Sequence, residues 1–184
     1  QPSRPPSKIY IAEDAFEIFR GPSDLLEACG KAISNELVGP GSVRPLRLGE
    51  HLLEKLPDLE KYDFDPKDRK IEHKGMDCLL KACQIVQRYD FINCETGKWC
   101  VEDKPELGSG IVARVEVAKK VTKQQFDDAC ALRAEFKNVL GNLLSDGSIM
   151  CIPVAGDLPP KCGFSGVLQS DFRLATLRLT AIAS

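Results

Sequence analysis

Eight cysteines, two histidines, an adjacent acidic pair and a glycine-rich run are the residues of this 184-residue chain whose types could carry chemistry. Zinc would need thiolates or imidazoles gathered at roughly two- to four-residue spacing. Cys78/Cys83 and Cys94/Cys100 miss that spacing, and no Cys-x-x-Cys occurs. Cys29, Cys83, Cys130 and Cys151 fall on the apolar sides of helix or strand patterns, where a reduced thiol packs as a small hydrophobe. The cysteines therefore predict a reduced, intracellular protein with no metal. His51 and His73 have no partner at ligand or triad spacing, so both are predicted to lie at the surface. Glu13-Asp14 follows a strand pattern, and acids there predict a helix N-terminus meeting the dipole rather than a metal site.

The run Gly108-Ser109-Gly110-Ile111-Val112-Ala113 matches G-x-G-x-x-A. A dinucleotide fingerprint also requires a strand just before it and an acid at a second strand's end about 20 residues on. Here Glu102-Asp103-Lys104-Pro105 precedes it, and Asp127 and Asp128 fall inside a helix pattern. The glycines are predicted only to turn the chain into the helix around Arg114, and no cofactor is expected.

Other function classes are excluded by charge and hydropathy. Twenty-five basic and 27 acidic side chains give a net charge of -2, which offers no electrostatic footprint for nucleic acid or an anionic membrane. No apolar run approaches the roughly 20 residues that span a bilayer. With 43% apolar residues, the chain can bury one sizeable core.

The elements that would position any site follow from periodicity. Lys8 to Ala12 predicts a strand. Leu26, Cys29, Ile33 and Leu37 give the face of a helix capped near Ser23-Asp24 and broken at Gly39-Pro40-Gly41. Val43 to Leu48 predicts a strand that Pro45 confines to an edge or a strand start. From Glu50 to Lys74 mixed-sign charges predict a solvated surface segment. Met76, Leu79, Leu80, Cys83 and Val86 mark a helix to about Tyr89. Phe91 to Trp99 is read as a break at Gly97, with Trp99 packed under a loop. Thr122 with Gln125 forms a capping box opening a long helix along Ala129, Leu132, Phe136, Val139, Leu140 and Leu143, stopped by Gly147. Ser148 to Ile152 predicts a strand covered on both faces. Phe172, Ala175, Leu179 and Ile182 share the face of a last helix. Helices between strands predict an α/β fold.

One ordered succession is more specific than any of these patterns. It runs Gln87-Arg88-Tyr89, Gly97-Lys98-Trp99, Pro105-Glu106-Leu107-Gly108-Ser109-Gly110-Ile111, then the long helix, Asp146-Gly147, a strand ending in Ile152-Pro153, and Pro159-Pro160. This resembles the C-terminal half of the amidase-signature family. Within it the chain is most similar to the plant branch of indole-acetamide hydrolase and the amidase-like domains of organelle outer-envelope import receptors. The resemblance covers about Lys8 to Ser184 and implies a partial amidase-like domain over 8–184 behind a polar lead, 1–7. That domain would be a piece of a mixed-sheet fold with covering helices, incomplete at both ends. The absence of an opening Met and the final helix without a following strand carry the same expectation.

Family enzymes use a serine nucleophile in a Gly-Gly-Ser-Ser type loop, a second serine held by a cis peptide, and a lysine base. A serine hydroxyl needs a base to attack, and the oxyanion needs fixed donors. This chain has no Ser-Ser pair, so no catalytic residue is carried over. What is carried over is the loop Pro153-Val154-Ala155, which in the family reads Pro-Thr and borders the substrate pocket; alternatively it only closes the fold. The implied parent hydrolyses a small carboxamide to acid and ammonia in the cytoplasm. The alternative is a non-catalytic domain of an import receptor on the cytosolic face of an organelle outer membrane. Either way, the expected partner is the remainder of the chain's own domain, with no metal or cofactor.

Overall fold

A computed structural model describes residues 6–32, 42–62, 73–103, 105–163 and 166–183. Three strands, β1 (Ile9–Ala12), β2 (Val43–Leu46) and β3 (Ile149–Cys151), form a parallel sheet in the order β2-β1-β3. Ile9 pairs with Val43 on one side and with Ile149 on the other. The helices are α1 (Glu13–Ile18), α2 (Ser23–Ala32), α3 (Leu48–Lys55), α4 (Lys74–Asn93), α5 (Glu95–Glu102), α6 (Ser109–Ala118), α7 (Lys123–Leu143) and α8 (Gly166–Thr180). The α/β class expected from the sequence is observed. Pro45 sits in β2, an edge strand among the described residues, where its missing N–H costs no ladder bond.

Helix α4 is the hub, packing against α3, α5, α6, α7 and α8. Met76, Cys78, Leu79, Leu80, Ala82, Ile85 and Val86 are buried along it, and Ala129, Leu132 and Phe136 of α7 meet them. Tyr89 of α4 stacks on Phe126 of α7 with ring centroids 4.4 Å apart. The capping box forms as predicted. The Gln125 backbone N–H donates to Thr122 Oγ1 at 3.2 Å, and the Thr122 N–H donates to Gln125 Oε1 at 2.9 Å. Gly147, at φ 82°, turns the chain out of α7 and toward β3.

Two buried polar links hold the helices. Asp14, buried in α1, accepts from the N–H groups of Leu48 at 2.9 Å and Gly49 at 2.6 Å, so it caps the first turn of α3. The acidic pair thus serves a second helix as well as its own. At the same N-terminal end of the hub, Arg178 of α8 is ion-paired with the fully buried Asp77 of α4.

Several expectations are corrected. Glu50 to Tyr62 is not a solvated segment. Leu52, Leu56, Leu59 and Tyr62 are buried by α3 and the 3-10 turn Pro57–Tyr62. Leu48, Leu52, Leu56 and Leu59 keep helical spacing beneath a charged outer face, and the charges masked it. Gly97 does not break a helix. It lies inside α5, where a Cβ would come within 1.9 Å of the Phe91 carbonyl, so it is there for close approach. Trp99 is 47% exposed rather than covered by a loop. β3 is an edge strand with Ile149 40% exposed, not covered on both faces. His51 and His73 are half-buried. Gly108 and Gly110 have open space around them and no positive φ, so the turn into α6 does not require glycine. For α2, the helix is present, but the face Leu26, Cys29, Ile33 and Leu37 and the break at Gly39-Pro40-Gly41 lie outside the described residues. So do the charges of 63–72.

Candidate functional site

Two helices of the hub present matching rows to one cleft. Gln84, Gln87, Arg88 and Phe91 of α4, and Ile111, Arg114, Val115 and Ala118 of α6, each follow i, i+3, i+4, i+7, which places each set on one helix face. Arg173 and Leu177 of α8, one turn apart, complete a cleft of about 470 Å³. Its lining includes three arginines and no carboxylate. Arg88 is half-buried, its pKa is lowered by desolvation, and its Nη2 donates to the neutral amide oxygen of Gln84 at 2.9 Å. Among the described residues none of Arg88, Arg114 and Arg173 has a carboxylate partner. The cleft continues past Arg114, Arg173 and Leu177 into a hollow of about 420 Å³ that adds Pro160, Ser170, Phe172 and Thr176.

The loop after β3 is pinned beside this hollow. Gly156 donates its N–H to Thr176 Oγ1 at 3.2 Å, and its carbonyl accepts from the Arg20 N–H at 2.8 Å. A Cβ on Gly156 would meet the Ala175 Cβ at 2.3 Å. Pro153 and Ala155 are half-buried and Val154 is 83% exposed, and none of the three lines the cleft. Pro160, from the same loop, does.

The chain is 26% identical over 97% of its length to a protein named Amidase 1 from Arabidopsis thaliana, of which it covers 43%. It is equally 26% identical over 97% of its length to Amidase 1 of Oryza sativa subsp. japonica, covering 41% of that protein. The similarity to these amidases runs through nearly the whole chain. It is also 25% identical over 98% of its length to Outer envelope protein 64, chloroplastic, of Arabidopsis thaliana, covering 31%. The chain therefore spans less than half the length of these curated relatives. No protein-family model and no solved structure matches it.

Amidase chemistry of the serine type needs a hydroxyl beside a free base. In this chain, the Ser7 and Ser148 hydroxyls lie 3.1 Å apart, with Lys8 and Asp146 beside them. Lys8 Nζ is bonded to Asp146 at 2.7 Å, and Ser148 Oγ also donates to Asp146. The Asp146 hydrogen bond raises the Lys8 pKa, and Lys8 holds the Asp146 carboxyl well below the usual carboxylate range. A lysine kept protonated cannot take a serine proton, so the cluster is a clasp between the segment before β1 and the segment before β3.

The remaining candidates do not form a reactive site. Gly108–Ala113 is the helix start rather than a strand-to-helix phosphate loop. Cys78 and Cys100 are buried, and burial raises the thiol pKa of Cys83 and Cys151, which keeps them protonated. Among the described residues no group of acids, cysteines or histidines is disposed to hold a metal, and no helix is long and apolar enough to cross a membrane. The arginine cleft was not read from the sequence. The available signal was the two matching rows on α4 and α6, of which Gln87, Arg88, Phe91, Ile111 and Arg114 each fall inside another pattern.

Proposed function

We propose that this chain is part of an amidase-type hydrolase whose complete form converts a small carboxamide to a carboxylic acid and ammonia through an acyl-enzyme. The observation that carries this is the similarity to two proteins named Amidase 1, which runs through 97% of the chain in each case. The chain supplies the α4 hub, the α8 packing and the loop at Pro153-Val154-Ala155, proposed to border the amide pocket. The serine, the second serine and the lysine come from residues outside it, because the sequence holds no Ser-Ser pair and Lys8 is occupied by Asp146. The proposed setting is the cytoplasm.

The test is to recover the continuous protein from the native source and measure ammonia release from small amides. Turnover that disappears when its loop serine is replaced by alanine supports the reading. A complete protein that lacks the serine loop, or that has the loop and releases no ammonia from a broad amide panel, overturns it. The 25% identity to Outer envelope protein 64 favours a second reading, a non-catalytic amidase-like domain on the cytosolic face of an organelle outer membrane. A substituted nucleophile beside a membrane anchor in the complete protein would establish that one instead.

A further inference from the structure

We infer that the cleft between the 3-10 turn Pro57–Tyr62, α4 and α7 binds a short aliphatic diamine, a chain of four or five methylenes with an ammonium group at each end. The cleft encloses about 390 Å³, within the roughly 300–1,000 Å³ of small-molecule sites. Its lining sets the carboxylates of Asp58, Asp128 and Glu135 against two lysines, so it is negative on balance. Lys61 is bound by Asp58 at 2.9 Å, and Lys81 is engaged as well. Asp128 and Glu135, both on α7, have no ion-pair partner among the described residues, and Asp128 accepts only from the Gln124 amide at 2.8 Å. Both are exposed. They attract a cation by charge, not by relief from burial.

Tyr62 turns these two acids into a site. The residue is only 9% exposed, yet its hydroxyl has no hydrogen-bond partner among the described residues. Burial pushes the hydroxyl pKa up, and the charges of Asp128 and Asp58 add to the shift. Both acids line the same cleft as Tyr62, so the hydroxyl faces it. Its oxygen and the two carboxylates of α7 are all acceptors, and an ammonium supplies three donors. Spacing then sets the length of the ligand. Asp128 and Glu135 stand seven residues apart in α7, about 10.5 Å along the helix axis. Between them lie Ala131 and Leu132, and Ile85 of α4 completes an apolar floor. Four or five methylenes in extended form hold two nitrogens roughly 6–7.5 Å apart. A charge-assisted hydrogen bond of about 2.8 Å at each end completes the span, with the methylenes on the floor. A monoamine reaches one acid only, and a divalent metal cation leaves the floor wet. The inference goes beyond amide hydrolysis and holds whether or not the complete protein turns over an amide.

Amide NMR titration of the 184-residue chain at low salt with 1,4-diaminobutane, n-butylamine and magnesium chloride tests it. The diamine is expected to saturate one site with a Kd of about 1 mM, moving the signals of Asp58 to Tyr62 and of Gln125 to Glu135. Butylamine and magnesium should bind at least about fivefold more weakly. Tyr62→Phe, which keeps the ring, and Glu135→Gln, at an exposed position, should each weaken the diamine by about fivefold. Glu116→Gln, whose carboxylate pairs with Lys119 on α6 and does not line the cleft, should leave it unchanged. The amide spectrum shows whether each variant is folded. If Tyr62→Phe fails to fold, Glu135→Gln decides alone. Butylamine or magnesium binding as tightly as the diamine, absence of saturable binding, shifts confined to other residues, an equal loss in Glu116→Gln, or full affinity in a folded Tyr62→Phe or Glu135→Gln each overturns the proposal.

Discussion

Asp14→Ala should be among the most damaging single substitutions outside the apolar core. The carboxylate is buried and receives the N–H groups of Leu48 and Gly49, themselves buried residues at the start of α3. Removing it leaves two donors without an acceptor. Hydrogen bonds to a charged group are worth roughly 1.5–3 kcal/mol each, and loss of a helix cap typically costs about 1 kcal/mol; taking the lower end for the two bonds, with at most the cap added, a loss of about 3–4 kcal/mol is expected. With a urea slope of about 2 kcal/mol per molar, the unfolding midpoint should fall by roughly 1.5–2 M. Glu17→Ala is the internal control, because it also joins α1 to the start of α3. Its partner is the exposed Arg47, bound at 2.8 and 3.1 Å. Exposed ion pairs contribute little, so that variant should lose less than about 1 kcal/mol. Urea denaturation followed by circular dichroism compares the two. Equal midpoint shifts, or a shift under about 0.3 M for Asp14→Ala, would refute the argument that burial and capping make the difference.

Other perturbations follow from packing and charge. Arg178→Ala removes the guanidinium that is ion-paired with the buried Asp77 and should cost about 3 kcal/mol in the same assay. Gly97→Ala drives a methyl into the Phe91 carbonyl and should cost about 1–3 kcal/mol, whereas Gly141→Ala, with nothing near it in α7, should stabilise by about 0.5–1 kcal/mol in thermal melts. The Lys8–Asp146 clasp has a defined pH window. Asp146 is held below its usual pKa, so its contribution is present above the ordinary carboxylate range and lost as pH falls through the depressed value. Lys8 is raised, so its share persists up through the ordinary lysine range and is lost only above it. The stability gap between wild type and Lys8→Met should therefore stay constant from about pH 5 to 8 and close only in strongly acid or alkaline solution. A gap that closes near pH 6 would contradict the clasp.

Local signals were legible where one residue type has one physical use. Thr122 with Gln125, Pro45 at an edge, Gly147 past a helix and the apolar stripe from Met76 to Val86 all stand as their chemistry predicts. Misreadings arose where burial depends on distant partners. The leucines from Leu48 to Leu59 were hidden by charges on the opposite face, and only the packing of α4 shows that they are core. Ile149 looks like the middle of a covered strand because apolarity alone cannot say which strands flank it. Gly97 illustrates the same limit, since the Phe91 carbonyl that excludes a Cβ is brought there by the turn from α4 into α5. For the site, the family resemblance was legible in an ordered series of short motifs. The arginine cleft needed three helices to be assembled, and no single helix marks it.

The position of β1 also bears on how the chain reaches this structure. The central strand pairs with β3, and the Ser7–Ser148 contact beside it joins residues 141 positions apart. During synthesis β1 emerges long before that partner does. The α4–α7 helical pair, whose contacts are more local, can form first. Until Ile149 to Cys151 leave the ribosome, one side of β1 offers unpaired backbone groups to any passing strand. Among the described strands, the four residues Ile9 to Ala12 therefore wait longest for a partner while the chain is being made.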